Sequence, residues 1–561
     1  MNRLPSRFAT VLLAALLTSP APALTAQHGD HAASPDAGEA GGVPLYDDLG
    51  DHGYAITTRS ARAQKYFDQG LRLYYAFNHA EAVRSFRIAQ AVDSTCAMCW
   101  WGEALAWGPN INLPMDSASG VAAWQALRGA EARLEHASPR ERALIRALSG
   151  RYAEVPPADR SHLDRAYAEA MGELARRYPD DPEIRVLHAE ALMDLRPWDY
   201  WTEDGEPQPG IATALDGLVH ARELDARHPG ACHFYIHAVE KLYPERAVEC
   251  AERLAGLMPG AGHLVHMPGH IYIRVGRYLD AVEANRHAIH ADESYIQDQR
   301  PGVGMYTAGY YPHNYDFLAF AAMMIGQSET SLQAADKVTT LLPAELFGSP
   351  GMDFLQHWSV RPLLMRVRFG RWEEILEAPE PPVDAPHARA IWRYARGRAF
   401  AAQGAAHEAR SELEALRALQ RGGRLEDLGM EFNRSSDLVA VAERVLTGRI
   451  RAAQGAYDEG VEALREAVRR EDGLLYGEPP EWSVPTRQDL GEVLLEAERW
   501  AEAEAAFRQD LDRFPGNGWS LAGLARALRA QGDDAQAAAV EAELQEAWQT
   551  ADVPAPLELR G

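Results

Sequence analysis

The chain has little positive charge for its length and is especially poor in lysine. Lys65, Lys241 and Lys337 are the only lysines among 561 residues, and arginine supplies nearly all the remaining positive charge. The formal net charge is −25. Because nucleic acids and anionic lipid surfaces attract proteins with an excess of Lys and Arg, this balance argues against either as the main partner.

Long apolar segments are missing beyond the N-terminus, so the sequence predicts no membrane span in the mature chain. At the N-terminus, Arg3 and Arg7 precede a short apolar stretch from Phe8 to Leu17, and small residues follow it. This pattern is typical of a secretory signal peptide, which we place at residues 1–26. We therefore expect a soluble mature protein that is periplasmic or secreted.

Cysteine is scarce, with four residues: Cys96, Cys99, Cys232 and Cys250. Cys96 and Cys99 form a C-x-x-C at a predicted helix start, but Trp100 follows them where a c-type haem site needs His. No thioredoxin-like pattern surrounds the motif, so a redox function has little support. We predict a local disulfide or two packed thiols.

Strand signals are nearly absent, and from residue 58 the chain reads as helix after helix. Residues 27–57 are rich in Gly, Ala, Ser, Pro and Asp, which predicts a flexible linker. Beyond it we expect N-terminal helical repeats at 58–200, interrupted by an insertion or irregular repeat. Histidine-rich repeats follow at 211–345, and C-terminal repeats at 346–550.

Small and aromatic residues recur with a period of 34 residues, which points to internal repeats. Two such sets are Gly70, Ala82, Phe86 and Ala89, and Gly491, Ala503, Phe507 and Pro515. The pattern resembles the tetratricopeptide repeat (TPR), in which small residues let two helices approach and the aromatic residue fills the gap. The resemblance implies an all-α, TPR-like helical-repeat superhelix (an α-solenoid) with a concave groove for a protein or peptide.

Histidine and carboxylate side chains are concentrated near the middle of the chain. One run is spaced i, i+4, i+7 and the next i, i+3, i+7, so each run shares one face of a helix. The residues are His233, His237 and Glu240, then His263, His266 and His270. Such side chains on neighbouring helices are typical of transition-metal sites.

The TPR resemblance also implies where these side chains point. In such repeats the first helix lines the concave groove, and the histidines fall on groove positions. His313 and Asp316 fall on groove positions of the following repeat. The predicted metal ligands are therefore His233, His237, Glu240, His263, His266, His270, His313 and Asp316.

The segment from about 230 to 290 further resembles the tetratricopeptide repeat protein 38 family. In that family, a helix carrying His-x-x-x-His-x-x-Glu precedes a histidine-containing helix in a TPR-like array. The matching residues here are His233, His237 and Glu240, then His263 and His266. The family has no assigned reaction, so the resemblance implies a shared groove and no particular chemistry.

Imidazole and carboxylate ligands suit Zn, Fe, Mn or Cu. The sequence predicts an exported scaffold with a metal in its groove and, if it is an enzyme, metal-dependent hydrolysis or oxidation. Two other interpretations stay open for the histidines: binding of an anionic peptide or small acid, and structural hydrogen bonding. A non-catalytic TPR adaptor for a protein or peptide is the alternative function. The chain has no G-x-S-x-G elbow, phosphate-binding glycine loop, dinucleotide fingerprint or H-E-x-x-H motif.

Overall fold

The computed structural model describes residues 42–342 and 352–555. The predicted signal peptide and the first part of the predicted linker lie outside these residues. Within the described ranges the secondary structure is helical, and β structure is limited to three isolated bridges. The predicted all-α, TPR-like helical-repeat fold is confirmed. The domain boundaries drawn from the sequence stay predictions.

The chain forms two compact units, described separately below. The described part of the N-terminal unit comprises residues 42–268 and 290–306, and that of the C-terminal unit comprises 269–289 and 307–555. Across the described residues, no helix combines the length and apolar character needed to cross a bilayer.

The N-terminal unit is a series of helices in which each helix packs against its neighbours in sequence. The helices are α1 (Ala61–Tyr75), α2 (His79–Val92), α3 (Ala97–Ala106), α4 (Ser117–Glu131), α5 (Pro139–Ser149), α6 (Ser161–Arg177), α7 (Pro182–Asp194), α8 (Ile211–Leu224), α9 (Pro229–Val239), α10 (Val248–Leu257) and α11 (Gly262–His266). Short 3-10 segments lie at Leu134–His136 and Pro244–Ala247. Helix α9 also packs against α1 and α7, so it lies inside the unit.

Polar residues fix the helix starts in this unit. The Ser60 side chain accepts a bond from the Ala63 amide at the start of α1, and Asp181 caps α7 in the same way. Ser138 and Glu141 form a reciprocal capping box at α5. Each cap satisfies amide groups that the first turn of a helix leaves without partners.

The described part of the predicted linker, residues 42–57, is non-helical. It places Val43, Leu49 and Tyr54 in the core of the N-terminal unit. The Thr57 amide and hydroxyl both donate to the Glu141 carboxylate, at 2.5 and 2.6 Å. This stretch therefore contributes buried apolar and polar contacts to the unit.

A buried phenylalanine joins the first repeat to the second. A Cβ added to Gly70 would lie 2.7 Å from Phe86, and one added to Gly102 would lie 2.4 Å from the same ring. Both distances are too short for a real side chain, so glycine lets α1 and α3 close on the ring from either side. This is the contact that the periodicity of small and aromatic residues predicts.

The C-terminal unit continues the same architecture. Its helices are α12 (Pro268–Arg274), the part of α13 (Tyr278–Gln299) up to Ile289, α14 (Tyr311–Met324), α15 (Ser328–Leu341), α16 (Leu355–Trp358), α17 (Arg361–Arg368), α18 (Trp372–Glu377), α19 (Pro386–Ala402), α20 (Ala406–Arg421), α21 (Ser435–Ala453), α22 (Tyr457–Asp472), α23 (Thr486–Glu496), α24 (Trp500–Arg513), α25 (Gly518–Gln531) and α26 (Asp534–Ala547). A π segment spans Tyr306–Tyr310, and its residues 307–310 belong to this unit. Gly491 and Gly523 contact Phe507 as Gly70 and Gly102 contact Phe86, with added Cβ atoms 2.4 and 2.2 Å from the ring.

The four cysteines form two disulfides. Cys96 and Cys99 form a disulfide at the start of α3, which was one of the two expected states. Cys232 and Cys250 form a second disulfide that joins α9 to α10. The latter bond holds α9 covalently at the residue next to His233.

Candidate metal centre

Helix α9 carries the first three predicted ligands, and all eleven of its residues are buried. His233 and His237 lie one turn apart, which places both imidazoles on one face. Glu240 is the residue that caps the C-terminal end of the helix. Two signals start α9: Pro229 at its first position, and the His228 side chain, which accepts a bond from the Ala231 amide.

Three imidazoles converge within the N-terminal unit, and we call His233, His237 and His263 the histidine triad. The His233 Nε2 atom lies 3.2 Å from His237 Nε2 and 3.1 Å from His263 Nε2. One ring nitrogen from each residue lies within 4.8 Å of the other two. The three residues are at most 3% exposed, so the triad is enclosed by protein.

The protonation of His233 follows from its second ring nitrogen. His233 Nδ1 lies 2.7 Å from the Tyr75 carbonyl oxygen. Because a carbonyl can only accept, Nδ1 carries the proton and donates it, and Nε2 of the neutral ring presents a lone pair to the other two histidines. Histidines that bind metals commonly donate their other ring N–H to a backbone carbonyl in this way.

Glu240 lies behind His237 in the N-terminal unit. Its Oε1 atom is 3.6 Å from His237 Nδ1, and the carboxylate is fully buried. This distance is longer than a normal hydrogen bond but short enough for electrostatic attraction. A carboxylate on the Nδ1 side raises the basicity of a ligating imidazole and helps orient it.

Aromatic rings enclose the triad. The Phe77 ring centroid lies 4.5, 6.2 and 5.2 Å from those of His233, His237 and His263. The Trp198 ring packs edge-on against His237, with centroids 5.3 Å apart. These rings pack directly on the imidazoles and contribute to the burial of the triad.

The nitrogen spacing fits a first-row transition metal. Such an ion binds imidazole nitrogen at about 2.0–2.1 Å, so two ligands at the tetrahedral angle lie roughly 3.3 Å apart. Two ligands at a right angle lie roughly 2.9 Å apart by the same bond length. The two Nε2–Nε2 distances of 3.1 and 3.2 Å fall between these values. The donor set and its spacing can therefore accept one ion.

The four remaining predicted ligands are His266 in the N-terminal unit and His270, His313 and Asp316 in the C-terminal unit. His266 follows on α11, with its ring centroid 6.0 Å from that of His263. In the C-terminal unit, the ring centroids of His270 on α12 and His313 on α14 are 5.9 Å apart. Both rings pack against Phe317. Asp316 forms a buried ion pair with Arg361 at 2.9 Å.

Two local features differ from the expectation of a continuous, groove-facing row of histidines. The helix is interrupted at Met267, so α11 ends at His266 and α12 begins at Pro268. His263, His266 and His270 are also buried, at 0–3% exposed. In the N-terminal unit, the Phe77 ring that packs on His263 contributes to this burial.

The N-terminal unit contains a second histidine cluster that no sequence pattern predicted. His52 Nε2 and His228 Nε2 both lie 3.3 Å from the Glu183 Oε2 atom. The Tyr75 hydroxyl donates to Glu183 Oε1 at 2.5 Å. Tyr75 therefore touches both clusters, through its hydroxyl here and through its carbonyl at His233.

The bonding in this second cluster fits a structural role better than a metal site. His228 Nδ1 accepts from the Ala231 amide, so Nε2 carries the proton and donates to Glu183. A protonated Nε2 has no lone pair for a metal. Burial alone would raise the pKa of Glu183, but hydrogen bonds from His228 and His52 outweigh it and hold that pKa well below its usual range.

A buried acidic pair lies on the neighbouring helix α7. The Tyr74 hydroxyl donates to Glu190 Oε1 at 2.5 Å, and Arg151 donates to Asp194 Oδ2 at 2.5 Å. Burial and the nearby Asp194 carboxylate raise the pKa of Glu190 to about 8. Burial also raises the pKa of Asp194, to about 7, against the opposing effect of Arg151.

This raised pKa predicts a gain in stability for Glu190→Gln at high pH. The unfolded chain ionises glutamate near pH 4.3, so the wild type loses stability as pH rises from about 4.3 towards 8. Glutamine keeps an acceptor for Tyr74 and does not titrate. We expect the variant to gain roughly 1–3 kcal/mol at pH 8 and little at pH 4. Urea unfolding at both pH values measures this.

The exposed Glu169→Gln serves as the control, since an exposed carboxyl has no burial to relieve. A Glu190→Gln variant that is less stable than wild type at pH 8 would contradict the assignment of a raised pKa.

Fold and site together define an all-α helical-repeat protein with a buried cluster of three imidazoles. No known protein-family model matches the chain. No curated protein matches it either.

Several solved structures of helical-repeat proteins are similar at low identity. The human IFIT1 dimer with PPP-AAAA is 14% identical to this chain, with a TM-score of 0.30. The match covers 88% of this chain and 92% of the IFIT1 chain. The Rap protein complexed with Competence and Sporulation Factor is 14% identical over 69% of this chain and 98% of its own, with a TM-score of 0.31. The P58(IPK) TPR domain is 11% identical over 84% and 99%, with a TM-score of 0.21. At these values, none of the three informs function.

Proposed function

We propose that this protein is a helical-repeat scaffold that binds one transition-metal ion through His233, His237 and His263. The observation that carries the proposal is the convergence of three Nε2 atoms, two of their separations being 3.1 and 3.2 Å. The hydrogen bond from His233 Nδ1 to the Tyr75 carbonyl supports it, since that bond leaves the Nε2 lone pair on the side of the triad.

Three protein ligands leave a coordination position for water or a substrate, as in catalytic zinc sites and unlike closed structural ones. A metal ion bound there would lower the pKa of its water or accept electrons, according to its identity. We therefore propose a metal-dependent hydrolase or oxidase. Zinc would support the first activity, and iron or copper the second.

Glu240 supports the same proposal from a different position. Its carboxylate lies behind His237 on the Nδ1 side, where it would strengthen that ligand and would not compete for the metal within this unit. His233, His237, Glu240, His263 and His266 are also the residues that resemble the tetratricopeptide repeat protein 38 family. The resemblance assigns no reaction.

Elemental analysis of the purified protein tests the proposal. We expect about one equivalent of Zn, Fe, Mn or Cu per chain, or uptake of one equivalent when the metal-free protein is titrated with each ion. A protein that arrives without metal and takes up none of the four would overturn the proposal. The adaptor alternative, a repeat array that binds a protein or peptide, would then take its place.

We also propose that the protein is exported, on the strength of the basic and apolar pattern of residues 1–26. The mature N-terminus, determined by sequencing protein from the cell envelope fraction, is expected to lie close to Gln27. A chain that retains Met1 and Arg3 in the cytoplasm would contradict this.

A further inference from the structure

Two aromatic residues beside the triad have unusual backbone conformations. Among the described residues, four that are not glycine have a positive φ: Phe77 (55°), Trp198 (64°), Arg300 (46°) and Glu498 (59°). Positive φ is unfavourable for a bulky side chain, and such residues concentrate at functional sites. Phe77 and Trp198 both contact imidazoles of the triad.

The equivalent turns in other repeats show what Phe77 replaces. At nine connections between consecutive helices of the described residues, the second residue before the start of the following helix has a positive φ. Glycine occupies this position in seven of them: Gly276, Gly326, Gly370, Gly404, Gly455, Gly516 and Gly532. Phe77 and Glu498 are the exceptions. Residue 77 therefore has a backbone conformation that is less favourable for phenylalanine than for glycine. In this conformation its ring packs on all three histidines of the triad.

Trp198 immediately precedes a loop, residues 199–210, which packs against the C-terminal end of α9 and the residues that follow it. The Trp201 indole N–H donates to the Ala238 carbonyl at 2.8 Å, and the Tyr243 hydroxyl donates to the Gly205 carbonyl at 3.1 Å. The rings of Trp201 and Tyr243 also pack at 4.9 Å. These contacts fix the loop, and with it the position of the residue that precedes it.

Exposure distinguishes Trp198 from the other rings around the triad in this unit. Phe77 and Phe234, which also contact the imidazoles, are buried at 4% and 0% exposed. Trp198 is half-buried and packs edge-on against His237, so among these rings it is the one that combines contact with the triad and exposure to solvent. Trp198 therefore lies between solvent and His237 of the triad.

We propose that Trp198 is the specificity-determining residue of this site, and that it admits only small ligands of a few atoms, such as water, dioxygen or azide, to the metal. The inference rests on the proposed function, because it assigns a gatekeeping role at the open coordination position. Larger ligands that carry a ring are excluded because the indole occupies the space they need.

Trp198→Gly tests the proposal with little cost to the backbone, because glycine adopts a positive φ without penalty. Arg300→Gly is the matched control. Arg300 is exposed, also has a positive φ and lies elsewhere in the same unit. Each protein is loaded with Co²⁺, whose visible spectrum reports coordination, and titrated with azide and with 4-phenylimidazole.

We expect Trp198→Gly to bind 4-phenylimidazole roughly 10-fold or more tightly than wild type, with azide affinity changed by less than about 3-fold. Arg300→Gly should match wild type for both ligands. An unchanged ratio of the two affinities in a folded, Co²⁺-loaded variant would overturn the gatekeeping role and leave the metal site standing. A wild-type protein that gives no Co²⁺ spectrum would overturn both proposals.

Should Trp198→Gly fail to fold by circular dichroism, Trp198→Ala and Trp198→Leu provide graded ring removal. The affinity for 4-phenylimidazole is then expected to rise as the side chain shrinks from Trp through Leu to Ala. No trend along this series would count against the proposal.

Discussion

Replacing His233 with alanine is expected to abolish stoichiometric metal binding. His233 is central, because its Nε2 atom lies within 3.2 Å of both other triad nitrogens. Loss of a residue that hydrogen-bonds to a metal ligand typically lowers metal affinity 10–100-fold. Loss of the ligand itself should therefore weaken binding by more than about 100-fold. Competition with a chelator of known affinity measures the change, and elemental analysis gives the stoichiometry.

His52→Asn is the matched control for this experiment. His52 also belongs to a buried histidine cluster of the N-terminal unit, but it donates to Glu183 and lies outside the triad. We expect this variant to keep one equivalent of metal. Equal loss of metal from His52→Asn and His233→Ala would show that the effect comes from general destabilisation, and the triad assignment would then fail.

Replacing Phe86 with alanine is expected to lower the free energy of unfolding by about 3–5 kcal/mol. Phe86 is fully buried between Gly70 and Gly102, and its ring also packs on Phe67 with centroids 5.5 Å apart. The two glycines have no side chains that move into the space, so a cavity remains. Denaturant unfolding, followed by circular dichroism, gives the value.

Val155→Ala provides the comparison, because Val155 is 79% exposed and its truncation should change stability by less than about 0.5 kcal/mol. Phe507→Ala should resemble Phe86→Ala, since Gly491 and Gly523 enclose it in the same geometry. A cost below about 1 kcal/mol for either phenylalanine would mean that the neighbouring helices close the gap, contrary to the rigid packing described above.

The repeat architecture could be predicted because it depends on local, periodic features. Gly70 and Phe86 lie on two consecutive helices, and Gly491 and Phe507 have the same separation along the chain. The spacing marks where two helices approach and which ring fills the gap. Nothing in a periodic pattern, however, reports how the chain partitions into compact units.

The candidate site was only partly predictable, for a similar reason. His233 and His237 are four residues apart, so helical geometry alone brings them together. His52 and Glu183 are separated by 131 residues, and only tertiary packing joins them. The positive φ of Phe77 and Trp198 also depends on surrounding contacts, because sequence preference alone places glycine at such positions. Asp316, an expected ligand, has Arg361 as its partner for the same tertiary reason.

The discontinuous make-up of the N-terminal unit has a consequence for its biosynthesis. Residues 290–306 belong to this unit, although residues 269–289 do not. From that late stretch, the Tyr295 hydroxyl donates to Glu81 and the Tyr306 hydroxyl donates to Asp292. The unit that holds the triad therefore remains incomplete until translation has passed residue 306, and a gene fragment that stops at residue 268 would encode it without its closing segment.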